Sequence, residues 1–240
     1  MNTENCYADE KRAESYAELE FPGTYYLAYR DLPELLLRHV TGRKALDFGC
    51  GTGRSTRFLK EIGFAATGVD IAAEMISQAR KKDPEGIYRL IGERDTGPIE
   101  PGAFDLALAV FTFDNIPTEE AKVGALRRLR ESVHPQGRVV LLVSTPEIYT
   151  HQWASFSTEQ FPENRKAKSG DRVRIIMTDV ADGRPVEDTL FSEEAYRECF
   201  REAGLSSLAT HKPLGREEEP HPWISETTIP PWAIHVLKPE

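Results

Sequence analysis

The stretch ALDFGCGTGRSTRFL, residues 45–59, decides the fold. Its opening residues belong to a short apolar run, 44–48, that reads as a buried strand, and residues 54–61 read as a helix. Between them Gly49, Gly51 and Gly53 let the chain turn sharply and let a ligand approach the main chain. The helix start behind them offers free N–H groups to a carboxylate or phosphate. An acid, Asp47, precedes the loop, and a second, Asp70, ends the next apolar run, FAATGVD (64–70). A carboxylate at the end of that second strand is placed to accept hydrogen bonds from ribose hydroxyls.

Working outward, GIYRLI (86–91), FDLALAV (104–110) and GRVVLLVS (137–144) read as further strands, with helices over 72–82 and 118–132. The near-continuous apolar runs suit strands covered on both faces. Glu119 and Glu120 open the second of these helices and Arg127, Arg128 and Arg130 close it, as the helix dipole favours. Such alternation predicts an α/β fold: a doubly wound, Rossmann-like, mostly parallel sheet. After residue 146 the rhythm breaks. Residues 172–180 and 184–191 flank Ala181-Asp182-Gly183 and read as a β-hairpin, Ser192 caps a helix closed by Gly204, and 205–210 and 232–237 read as the last strands. The expected organisation is one domain over 1–240. It comprises an N-terminal lid and helix (1–42), a core (43–145), a lid insertion with the hairpin (146–191) and a C-terminal helix and strands (192–240).

Composition fits a globular chain: 240 residues, 40% hydrophobic and 29% charged. The net charge of -9 argues against a dedicated nucleic-acid binder, since phosphate affinity comes mainly from clustered Lys and Arg. The acid is unevenly placed: residues 1–40 carry -4, residues 215–240 carry -3 and the other 174 only -2. No apolar run is long enough to span a membrane, and MNTENCYADEKRAE lacks the apolar stretch of a leader. Cys6, Cys50 and Cys199 are odd in number with no CxxC spacing, which suits a reduced cytoplasm and argues against a zinc site. We expect a cytoplasmic chain, monomer or homodimer, with no metal, nucleic-acid or membrane partner.

A glycine loop followed by an acid serves both nicotinamide dinucleotide enzymes and methyltransferases. Dinucleotide loops run GxGxxG; here the spacing is GxGxG with Asp47 ahead of it. The chain resembles the class I S-adenosylmethionine (SAM)-dependent methyltransferases in LDFGCGTG (46–53), GVDIAAEMISQAR (68–80), FDLALAVFTF (104–113) and LRRLRESVHPQGRVVLLV (126–143). The likeness covers 24–145 well and 190–237 more loosely. It implies a seven-stranded sheet whose last strand is antiparallel, with SAM as cofactor and S-adenosylhomocysteine (SAH) as its product. It also implies that Gly49, Cys50 and Gly51 line the methionine portion of SAM, with Asp47 near the amine. Asp70 would hold the ribose, Ile71 and Met75 would pack on the adenine, and Glu93, beside Arg94, would touch the adenine amino group, a role open to Asp95 as well. Val110 and Phe111 would flank the sulfonium, and Tyr26 or Arg30 would bind the carboxylate. Plainer readings stand beside these: Asp47 as a cap of the loop, Met75 as core, Cys50 chosen for size.

Methyl transfer is an in-line displacement with a good leaving group, so positioning supplies much of the catalysis and a base is needed only where the acceptor must lose a proton. Ligands of an open α/β sheet lie beyond the carboxyl ends of its strands, which puts the loops after the fourth and fifth strands over the reaction. Asp114 in the first is a candidate base or amine anchor, or else a turn residue. In the second, His151 is a candidate base, and Tyr149 and Trp153 either wall an acceptor pocket or pack the hairpin. Trp223 belongs to the long loop at 213–231, a second candidate lid. The reading is methyl transfer to an oxygen or nitrogen of a small-molecule acceptor, amine-bearing or aromatic. The alternatives are a protein or RNA methyltransferase relying on a partner, a non-catalytic SAM-binding protein, and a nicotinamide-dependent oxidoreductase. If the acidic ends flank the acceptor pocket, a cationic acceptor is favoured; an Arg- or Lys-lined pocket would overturn that.

Overall fold

A computed structural model describes residues 9–92 and 99–240. Cys6 and the run Glu93-Arg94-Asp95, with the adenine contact expected of it, lie outside the described residues. β1 (Lys44–Phe48) pairs in parallel with β2 (Ala65–Asp70) on one side and β4 (Phe104–Val110) on the other. β3 (Ile87–Leu90) extends the sheet beyond β2, and β5 (Val133–Ser144) extends it beyond β4. β10 (Trp232–Pro239) then runs antiparallel between β5 and β9 (Leu205–His211). The seven-stranded order is β3-β2-β1-β4-β5-β10-β9. The last strand is thus the antiparallel one, as the resemblance implied. β5 begins earlier than its apolar run suggested, because Val133 pairs with Phe104 across a register shift.

The alternation of side chains along β4 and β5 sorts the core onto two faces. Leu106, Leu108, Val140 and Leu142 point to one face, under α2 (Gly23–Arg30) and α3 (Leu32–His39). Ala107, Ala109, Val139 and Leu141 point to the other, under α6 (Glu119–Ser132) and α7 (Glu193–Glu202). The helix starts follow their capping chemistry: Thr118 accepts from the Ala121 N–H and Ser192 from the Ala195 N–H. α4 (Arg54–Glu61) follows β1, α5 (Ala73–Lys82) follows β2, and α1 (Glu10–Ala17) packs on α5.

The insertion forms a separate three-stranded sheet of β6 (Phe156–Ser157), β7 (Arg172–Met177) and β8 (Val186–Thr189), the last two being the expected hairpin. Thr24, Ser155 and Glu226 tie three distant segments together over the carboxyl ends of the sheet. The Thr24 N–H donates to Ser155 Oγ (2.9 Å), the Ser155 N–H to Thr24 Oγ1 (3.1 Å), and Thr24 Oγ1 to Glu226 Oε1 (2.6 Å). The fully buried Glu226 also accepts from the N–H groups of Ala154, Ile224 and Ser225, so its charge is spread over fixed dipoles. Among the described residues no helix is long and apolar enough to cross a membrane.

Candidate functional site

All three loop glycines hold a left-handed backbone, with φ of 72°, 53° and 81° at Gly49, Gly51 and Gly53. A Cβ at Gly49 would lie 2.3 Å from the Thr112 side chain, whose hydroxyl donates to the Phe48 carbonyl (2.9 Å). A Cβ at Gly51 would meet nothing nearer than Tyr16 (3.9 Å) and the Met75 sulfur (4.0 Å), so it would project into open space. Beneath the loop, the fully buried Asp47 accepts from Ser55 Oγ (2.7 Å) and Thr56 Oγ1 (2.5 Å) on one oxygen, Oδ2. Oδ1 accepts no hydrogen bond among the described residues. Burial pushes this carboxyl up to about 6 against the pull of the two hydroxyls. Asp70 grips the loop from the side: its two oxygens accept from the Gly51 and Ala72 N–H groups, each at 2.8 Å. Burial raises its pKa too.

Gly49, Gly51, Ser55 and Val110 line a cleft of about 260 Å³ whose far side is Tyr16, Tyr29 and Arg54. Arg54 is only 4% exposed. Its guanidinium lies 4.9 Å from the Tyr25 ring centroid, 5.5 Å from Tyr16 and 5.6 Å from Tyr29, and donates to the Glu20 carbonyl (2.7 Å) and the Tyr16 hydroxyl (3.2 Å). Among the described residues no carboxylate pairs with it. A buried cation without an anion is costly. The chemistry of these side chains fits SAM: a guanidinium suits a carboxylate, and the carboxylates of Asp47 and Asp70 suit an ammonium and a ribose diol.

A second cavity, about 390 Å³, adjoins the first, and Tyr16 lines both. The Val110–Phe111 step sits at the junction, Val110 on the cleft and Phe111 on the cavity. Phe111 has φ 59°, and among the described residues it is the one non-glycine residue in that left-handed region. Such strain is held in place by surrounding structure and clusters at functional sites. The Phe111 ring stands 4.6 Å from Trp232, and Tyr25 and Phe156 stand 5.0 Å apart on the same cavity. Its polar lining includes Asp114 and Asp188. Asp114 accepts from the Ser144 hydroxyl (2.9 Å) and N–H (3.1 Å), and Asp188 Oδ2 accepts from the Tyr149 hydroxyl (3.1 Å). Burial raises the pKa of both, and the charge of Asp188 raises that of Asp114 further. The fully buried Lys122 opposes this from behind, with its ammonium donated to the Phe113 carbonyl and set 4.5 Å from the Phe191 ring centroid.

The structure therefore brings Gly49, Cys50, Gly51 and Val110 to the cleft, with Asp47 beneath the loop and Asp70 at its side, and Phe111 and Asp114 to the cavity. Tyr149 stands one hydrogen bond behind it. Met75 is buried with Ala13, Ala72 and Tyr16 under α1, and Ile71, after Asp70, is 45% exposed. Five expected residues lie elsewhere. Arg30 is held by Asp31 (2.8 Å) and Glu219 (2.7 Å), so its charge clamps the loop at 213–231. Tyr26 packs on His221 at 4.6 Å, and Trp223 joins the same cluster while donating to the Arg216 carbonyl. His151 turns back on its own loop, its Nδ1 3.1 Å from Thr150 Oγ1 and 3.2 Å from the Glu147 carbonyl. Trp153 is buried and donates to the Ile148 carbonyl (2.8 Å), which is the packing role. Sequence reasoning missed Arg54, Tyr16 and Asp188. Arg54 had a signal, as the first helical residue after the glycine loop. Asp188 had one too, an acid two residues after the apolar Val186 in the expected hairpin strand, where every second side chain shares a face.

A methyltransferase-domain family model matches residues 23–210. Over 94 residues the chain is 31% identical to a ubiquinone biosynthesis O-methyltransferase of Methylococcus capsulatus, a match covering 38% of this chain and 40% of that one. Over 184 residues it is 26% identical to a protein of the same name from Paraburkholderia phymatum, covering 70% and 75%. In fold it is similar to the CcbJ methyltransferase of Streptomyces caelestis, with a TM-score of 0.67 at 17% identity over 97% of each chain. With its glycine loop, strand order and antiparallel last strand, the chain belongs to the methyltransferase-domain family and has the fold of the class I SAM-dependent methyltransferases.

Proposed function

We propose that this domain binds SAM in the cleft at the glycine loop and transfers its methyl group to an oxygen or nitrogen of a small molecule held in the adjoining cavity. The observation that carries this reading is the meeting of the two cavities at Tyr16 and the Val110–Phe111 step. SAM supplies an electrophilic methyl group on a positively charged sulfur. The chain binds and orients it: Arg54 pairs with the carboxylate, Asp47 Oδ1 accepts from the amine and Asp70 accepts from the ribose. The rings around the cavity exclude water, and Asp114 is positioned to take a proton from an acceptor that must lose one. A chamber lined mostly by rings, with a few polar groups among them, suits a small molecule. The relatives named as ubiquinone biosynthesis O-methyltransferases support a small acceptor.

Calorimetry with SAH and with NADH tests the first half: SAH binds and NADH does not. Incubation with methyl-labelled SAM and, in parallel, a metabolite extract, total protein and total RNA tests the second. Label enters the metabolite fraction. Label confined to protein or RNA sinks the small-molecule reading, and SAH binding without label in any fraction marks a non-catalytic binder.

A further inference from the structure

The two acids at the cavity come from different elements, Asp114 from the turn after β4 and Asp188 from β8. Each is more than nine-tenths buried, at 4% and 8% exposed. Asp114 is engaged by Ser144, whereas Asp188 gives only Oδ2 to Tyr149. Its Oδ1 accepts no hydrogen bond among the described residues, and the residue lines the cavity. Lys122 is the cation at hand, but it turns to the Phe113 carbonyl and the Phe191 ring and does not line the cavity. No Arg or Lys stands among the described lining residues. With Asp114, Asp188 and Lys122 all ionised, the group keeps one net negative charge facing a chamber walled by Tyr25, Phe111, Phe156 and Trp232. A buried carboxylate short of a counter-charge is strongly unfavourable, and a cation in the chamber relieves it. Ring faces attract the same cation through their quadrupoles.

We propose that the acceptor is a primary or secondary amine, bound as its ammonium by Asp188 and Asp114 within that box of rings, so that the methyl group goes to nitrogen. The inference rests on the methyl-transfer reading and selects among its acceptors. It departs from the O-methyltransferase name of the curated relatives. The proton balance is simple. A carboxylate takes one proton from the ammonium, freeing the nitrogen lone pair. The nitrogen forms the N–CH3 bond while the C–S bond breaks and leaves its electron pair on sulfur. The carboxylic acid then passes its proton to solvent. Asp188 had not been singled out in the sequence, and the acids that serve here belong to the near-neutral middle of the chain rather than to its acidic ends.

The test compares choline with its uncharged carbon isostere dimethylbutanol, titrated calorimetrically into the SAH-saturated protein. SAH has no methyl group to give and choline's nitrogen is already quaternary, so the readout is binding alone. We expect choline to bind about tenfold or more tightly than the isostere, and Asp188→Asn to cut that preference to about twofold. Equal binding of the two probes overturns the proposal, as does an unchanged preference in both Asp188→Asn and Asp114→Asn, or no binding of either probe. Should Asp188→Asn fail to fold, the wild-type comparison decides. SAH separates the two readings: if it binds while choline shows no preference, only the amine inference falls, and if SAH itself does not bind, the methyl-transfer reading falls with it.

Discussion

Gly49 and Gly51 share a left-handed backbone but answer to different demands. At Gly49 the reason is internal, since Thr112 occupies the space a side chain would need. At Gly51 the space is open, and on the proposed reading it is left for the ligand. Gly49→Ala should therefore cost about 3 kcal/mol or more in urea unfolding, from the left-handed penalty and the clash together. Gly51→Ala should cost only about 1–2 kcal/mol yet weaken SAH binding at least tenfold by calorimetry. Equal losses of stability with SAH binding intact would refute the distinction. On the proposed pairing of Arg54 with the cosubstrate carboxylate, Arg54→Met should remove a charge-assisted bond worth about 1.5–3 kcal/mol, a loss of roughly 10- to 100-fold in SAH affinity, and Arg54→Lys should recover part of it. The comparison of Arg54 with Arg30 shows where sequence reading stopped. Both are cations near aromatic runs, and spacing cannot say that Glu219, far along the chain, claims Arg30, while Arg54 has no carboxylate partner among the described residues.

Strands and helices were more legible than side-chain roles because burial on both faces writes itself as unbroken apolar runs. β1, β4 and α4 match their expected bounds, and the hairpin of β7 and β8 lies where its turn residues put it. What spacing could not give is how the insertion meets the N-terminus. Asp9 caps α1 by accepting from the Arg12 N–H (2.8 Å) and pairs with Arg184 (2.9 Å), while the Arg12 side chain reaches Asp182 (3.0 Å). These pairs latch α1, which carries Tyr16, to the loop between β7 and β8. Arg12 and Asp182 are 6% and 12% exposed at their side chains, so their pair matters more than the outer Arg184 contacts. Asp182→Asn should speed SAH release several-fold in stopped flow while moving the melting temperature by only about 2–4 °C. Arg184→Gln should do much less.

At the scale of the whole molecule, buried titratable groups set opposing pH dependences. Burial lowers His235 to about 4, so the unfolded chain binds its proton more readily and this group erodes stability as pH falls from about 6.5 toward 4. Asp47, raised to about 6, and Asp114 and Asp188, raised as well, act the other way. Between the ordinary carboxylate range and their raised values, the folded state holds more protons, so stability is present at low pH and lost as pH rises. These three acids, joined by the raised Asp70, outweigh one histidine and predict a protein more stable to urea at pH 5.5 than at pH 7.5. His235→Gln should enlarge that difference, and Asp188→Asn should shrink it by on the order of 1–2 kcal/mol. A flat profile in the wild type would contradict this balance. Tyr16 adds a consequence of another kind. Because one side chain walls both chambers, a guest that fixes it in one should favour the guest in the other, and the two should bind cooperatively. By thermodynamic reciprocity, SAH must tighten the acceptor by the same factor by which the acceptor tightens SAH, and Tyr16→Ala should erase that factor from both isotherms at once.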